Sequence, residues 1–160
     1  MSRKTFYQIE VPIAAASITN GVCAHAGASF VSPQSLTDFG VVGVSVQIAP
    51  PVNASLGFSL LFYTGTTGLS KGDSPDSIDA ANLEDAGVFN GGPIVRLGHD
   101  WGDVWGSPQG AGRVYSTVLD TPAYIVPDAG LYKFQLAVLG DPGNTTDLPL
   151  KVVLRLVTLN

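Results

Sequence analysis

Tyr124-Ile-Val-Pro-Asp-Ala-Gly-Leu-Tyr-Lys-Phe-Gln-Leu-Ala-Val-Leu139 joins a short apolar run to a Pro-Asp-Ala-Gly turn and then to a strict alternation. Tyr132, Phe134, Leu136 and Val138 fall on one side of the alternation; Lys133, Gln135 and Ala137 fall on the other. Successive side chains of an extended chain point to opposite faces, so this period predicts a strand with one buried face. Pro127 and Gly130 shape a turn leading into it.

The same signal recurs along the chain. Thr5 to Val11 alternates, with Tyr7, Ile9 and Val11 on one face. Ile13 to Val22 is a weaker candidate, rich in Ala and Ser. In Val41 to Ile48, Val42, Val44, Val46 and Ile48 oppose Val41, Gly43, Ser45 and Gln47, and Pro50-Pro51 ends the run because proline cannot donate to a ladder. Leu56 to Tyr63 is almost continuously apolar, as in a strand buried on both faces. Ile94 to Leu97, Arg113 to Leu119 and Pro122 to Val126 are shorter candidates. Leu150 to Leu159 closes the chain, with Leu150, Val152, Leu154 and Leu156 opposite Lys151 and Arg155. About eight strands at such intervals predict an all-β antiparallel sandwich of jelly-roll type. One short helix is expected from Ser74 to about Asp85, with Ser74 as cap and Pro75 at the first helical position. A long Gly-rich loop is expected over roughly 90–112.

The 160 residues suit a single domain spanning 1–160, and 45% hydrophobic content allows a packed core. Charged residues make up only 13%, about half of the roughly 25% usual for soluble domains. Between Lys4 and Lys71 the formal charges are Glu10 and Asp38 alone. Such a neutral stretch predicts faces that pack against other molecules. The net charge of −5 and the lack of a Lys/Arg cluster remove the electrostatic footprint of nucleic-acid binding. A single cysteine, Cys23, precludes an intrachain disulfide. Gln8, Glu10 and Pro12 interrupt any apolar core of a secretory leader, and no apolar run is long enough for a membrane-spanning helix.

Tyr124-Ile-Val-Pro127, Gly130, Tyr132 and Phe134 follow an order that resembles the strand entry of trimeric jelly rolls. These are the complement globular-head and tumour-necrosis-factor-like superfamily and the jelly rolls of bacteriophage fibre and capsid-decorating proteins. The resemblance covers about a tenth of the chain. It implies a homotrimer with an uncharged interface and, without a secretory signal, a virion protein made in a host cytoplasm.

Catalytic constellations are weak. Gly72-Asp-Ser74 invites a hydrolase reading, but a nucleophilic serine needs a base, and His25 and His99 lie in no partner motif. A helix cap explains Ser74 more simply. Cys23-Ala-His25 offers two metal ligands where a structural zinc site needs about four. Asp73, Asp76, Asp79, Glu84 and Asp85 lack the spacing of a calcium loop and suit a solvated helix face. No cofactor is expected. Trp101 and Trp105, with Phe89 and His99, form the candidate contact site for a protein partner or a sugar. The leading expectation is a non-enzymatic bacteriophage capsid decoration or cement protein that assembles on the capsid protein. The alternative is a carbohydrate-binding module using the loop tryptophans.

Overall fold

The computed structural model describes residues 3–35, 38–48, 56–75, 94–97, 102–105, 112–140 and 147–159. Nine strands lie within them: β1 (Phe6–Ala16), β2 (Ala28–Val31), β3 (Phe39–Ile48), β4 (Leu56–Tyr63), β5 (Ile94–Leu97), β6 (Gly102–Trp105), β7 (Gly112–Ile125), β8 (Leu131–Gly140) and β9 (Leu148–Thr158). One sheet has the order β1-β9-β3-β7-β6 and the other β2-β8-β4-β5. Every pairing among these strands is antiparallel. The chain changes sheets from β1 to β2, β2 to β3, β3 to β4, β5 to β6, β7 to β8 and β8 to β9, and the first and last strands end side by side. This order is the jelly roll, two sheets that bury one face each against the other.

The alternation of β8 holds: Tyr132, Phe134, Leu136 and Val138 are all buried. They share one core cluster with Phe58, Leu60 and Phe62 of β4, with Phe39, Val41, Val44, Val46 and Ile48 of β3, and with Leu150, Val152, Leu154 and Leu156 of β9. Two edge-to-face ring pairs cross between the sheets. Tyr132 meets Phe39 at 6.2 Å, and Phe58 meets Tyr115 of β7 at 5.5 Å between centroids.

Several sequence expectations are corrected. β4 is not buried evenly on both faces: Phe58, Leu60 and Phe62 are buried, whereas Ser59, Leu61 and Tyr63 are half-buried. The register of β3 shifts between Val41 and Gly43, so Val41 and Val44 both join the core and Val42 does not. A bulge breaks the alternation there, because one added residue reverses the faces beyond it. Arg113 to Leu119 and Pro122 to Ile125 lie in the single strand β7, and Val126 follows its end. The same register shift lets residues 119–122 run past β3 unpaired, so Pro122 removes no ladder bond there. A Cβ on Gly40 would stand 2.6 Å from the Pro122 Cβ, so this crossing requires a glycine.

The weak candidate from Ile13 to Val22 is strand only as far as Ala16. β5 stands where its apolar run places it, but β6 occupies part of the expected loop over 90–112. β2 is a further strand, in a segment without a periodic signal of its own. Of the expected helix, Ser74 and Pro75 are described and 76–85 lie outside the described residues.

The turn into β8 is closed by reciprocal backbone bonds, Asp128 N–H to Leu131 O at 2.8 Å and Leu131 N–H to Asp128 O at 3.0 Å. Its central residues have positive φ, 50° at Ala129 and 83° at Gly130. The Asp128 carboxylate accepts from Lys133 Nζ at 2.7 Å and from Gly65 N–H at 2.8 Å. Its bond to Lys133, then that to Gly65, holds the Asp128 carboxyl below its ordinary range.

An alanine in the left-handed region costs about 1–2 kcal/mol. A glycine there avoids that cost and gives up about 0.4–1 kcal/mol through the unfolded chain. Ala129→Gly is therefore expected to stabilise the protein by up to about 1 kcal/mol in urea denaturation. A lowered midpoint contradicts this account of the turn.

Candidate functional site

Phe89, His99 and Trp101 lie outside the described residues. Trp105 ends β6, where its backbone pairs with Gly112; its side chain is outside what is described. The aromatic contact site expected from the sequence thus falls largely outside the described residues. Two other places have a geometry that bears on function.

The first lies around Cys23 and His25, in the 17–27 connection between β1 and β2. This connection runs along the β8 edge: Gly21 N–H donates to Val138 O, Val138 N–H to Val22 O, and Ala24 N–H to Leu136 O. Ala24 O is taken by Ser17 N–H. The Leu136 N–H instead donates to His25 Nε2 at 3.0 Å, and Gly27 N–H points at His25 Nδ1 at 3.1 Å. An imidazole thus stands where a strand carbonyl would close the ladder. Gly27 is at φ 137°, and a Cβ on it would lie 2.6 Å from the Tyr63 hydroxyl.

Gln135 sits on the outward side of β8 yet is only 4% exposed. Its amide nitrogen donates to His25 O and Leu69 O, and its amide oxygen accepts from the Thr67 hydroxyl at 2.7 Å. The loop carrying Thr67 and Leu69 also pairs with Cys23, through Cys23 N–H to Asp73 O and Gly72 N–H to Cys23 O. The expected polar face of β8 is therefore a covered network that ties the 17–27 and 64–73 segments to the sheet.

This arrangement is unsuited to metal binding. Both His25 nitrogens face backbone donors. Burial, with the charge of Asp73 adding to it, pushes the Cys23 thiol up to about 11, which disfavours the thiolate that metals require. Among the described residues no group of three or more His, Cys, Asp and Glu side chains could hold a metal ion.

The second place is the outward face of the β1-β9-β3-β7 sheet. Pairing sets its rows as Phe6–Val157–Gly40–Tyr124, Gln8–Arg155–Gly43–Val118, Glu10–Val153–Ser45–Ser116 and Pro12–Lys151–Gln47–Val114. Charge in these rows is confined to Arg155, Glu10 and Lys151. The β3 column is built of Gly40, Gly43, Ser45 and Gln47; Pro122 and Leu159 cover Gly40, and the Arg155 side chain flanks Gly43. Phe6 is 68% exposed and Val118 79% exposed. With Val42, Gly43 and Arg155 they border an open depression of about 480 Å³. The alternating period does not reveal this face, because Phe6 and Val118 occupy positions where a solvated sheet carries polar residues.

No protein-family model matches the chain. No curated protein matches it in sequence. Among solved structures, it is similar to a chain of the giant freshwater prawn Macrobrachium rosenbergii nodavirus semi-empty virus-like particle, at 13% identity over 98% of this chain and 83% of that one, with a TM-score of 0.37. It is similar to a turnip yellow mosaic virus chain at 12% identity, over 98% and 93% of the two chains, with a TM-score of 0.33. For the unassembled KI polyomavirus VP1 pentamer the values are 9% identity, 98% and 95% coverage, and a TM-score of 0.37. At these scores the matches do not place the chain in any of those families. The strand order itself carries the fold.

Replacing Gln135 with Leu leaves the Thr67 hydroxyl and the His25 and Leu69 carbonyls without their partner. Each buried unsatisfied group costs about 1–3 kcal/mol. Gln135→Leu is expected to destabilise the protein by at least about 2 kcal/mol in denaturant titration, despite its added hydrophobicity. A loss below about 0.5 kcal/mol contradicts a closed network.

Proposed function

We propose that this chain is a non-enzymatic structural protein of a virus particle, a bacteriophage capsid decoration or cement protein. It packs as a homotrimer and sits on the capsid protein of the shell. The observation that carries this reading is the outward sheet face, where Phe6 and Val118 stand exposed beside an uncharged β3 column. Burying such a face is favourable at roughly 25 cal/mol per Å², before the costs of association. A cyclic trimer joins two different patches on each copy. A second apolar patch is available on the other sheet and the turn beside it, where Val31, paired with Leu131, is 70% exposed and Val126 is 49% exposed. A framework closed by buried rings and backbone ladders supplies the rigidity that a packing role requires.

Sedimentation equilibrium tests the assembly. The parent protein is expected at three times the chain mass. Phe6→Lys with Val118→Lys is expected to sediment as a folded monomer, since losing one buried large side chain weakens a contact by about tenfold or more. A parent protein that stays monomeric at every concentration contradicts the proposal. The neighbouring genes test the virion role: capsid or tail genes support it, and a metabolic operon contradicts it.

A further inference from the structure

We propose that His25 is an acid-sensitive latch whose protonation releases the 17–27 connection from the β8 edge and bares Cys23. The geometry makes the ring intolerant of a proton. A neutral imidazole has one lone-pair nitrogen and one N–H; a protonated one has two N–H groups and accepts nothing. Here both nitrogens face backbone N–H donors, from Leu136 at 3.0 Å and Gly27 at 3.1 Å. The neutral ring satisfies one of them, and the buried Leu136 N–H has the stronger need. The imidazolium satisfies neither and sets donor against donor at both ends.

The surroundings offer the added charge no compensation. The ring packs edge-on against Phe134 at 5.8 Å. On the packed elements the titratable groups are Cys23 of the same connection, Lys71 and Asp73 of the 64–73 loop, Tyr63 of β4, and Tyr132 and Lys133 of β8; Lys71 is paired with Asp147 and Lys133 with Asp128. Asp73 directs its carboxylate to Ser70 N–H, and Asp128 is taken by Lys133 and Gly65. Burial accordingly holds His25 below its ordinary value of 6.5. Above that value both folded and unfolded chains are neutral at this ring, and the fold keeps its full stability. As pH falls below it, the unfolded or released ring gains a proton first, and the latch weakens until the folded ring also titrates.

Release has a defined extent. Gly21, Val22, Ala24 and His25 carry the contacts of the connection to β8, and Cys23 carries those to the 64–73 loop. Opening this segment breaks none of the named strand pairings, and it bares Ile18 and Ala24 of the core together with the buried thiol.

The test is the reaction of Cys23 with 4,4′-dithiodipyridine, a disulfide that reacts with thiols in acid, referred to free cysteine at the same pH. Protection of Cys23 is expected to fall at least about tenfold between about pH 7.5 and about pH 5, with far-UV circular dichroism unchanged. His25→Gln, neutral throughout, is expected to lose this pH dependence. Equal protection at both pH values, the same pH dependence in His25→Gln, or loss of circular dichroism together with protection each overturns the latch. If His25→Gln does not fold, NMR of the parent chain decides. The latch requires the His25 ring and the Leu136 amide to titrate with one shared midpoint; a Leu136 amide that ignores the ring overturns it.

Discussion

One buried core drawn from both sheets holds them together, and two edge-to-face ring pairs cross within it. Phe39 with Tyr132 and Phe58 with Tyr115 each link a strand of one sheet to a strand of the other. They sit at opposite ends of the β3–β7 ladder, since Phe39 pairs with Ile125 and Val46 with Tyr115. Aromatic contacts of this kind add about 0.5–1.5 kcal/mol each beyond their buried area, and their geometry is directional. With the rest of the core they help set how the two layers face each other. Strand-by-strand alternation then follows, because a register slip by one residue would turn a buried ring to solvent.

Legibility in the sequence depends on how local the cause is. The β8 alternation, the β9 alternation and the first part of β1 are dictated by side chains within each strand, and the structure reproduces them. The β3 bulge, the continuity of β7 through Pro122 and the edge strands β2 and β6 depend on partners far along the chain. β2 shows this clearly: Ala28–Val31 carries no long period of its own and is ordered by β8. Gln135 is legible as an outward residue, but its burial is not, because the cover comes from Thr67, Leu69 and the His25 backbone. The Cys23-Ala-His25 spacing is open to a metal reading; only the positions of Leu136 and Gly27 show that the imidazole completes a ladder.

The same division between local and distant causes separates the two sheets by role. The outward side of the β2-β8-β4-β5 sheet is partly roofed by the 17–27 and 64–73 segments, which hydrogen-bond to Leu136, Val138 and Gln135. The outward side of the other sheet has a glycine-rich centre and exposed Phe6 and Val118. One sheet is partly covered by the chain itself, with Val31 left exposed at its edge; the other presents a mixed face on which Phe6 and Val118 stand exposed among Gln8, Glu10, Lys151 and Arg155.

Photocrosslinking from that face tests the central claim most directly. Benzoylphenylalanine in place of Phe6 is expected to join copies covalently in high yield, while the same group in place of Ser70, in the loop that roofs the other sheet, leaves the chain uncrosslinked. Equal yields at the two positions, or monomer alone from the position of Phe6, would contradict an outward sheet face built to pack against copies of the chain.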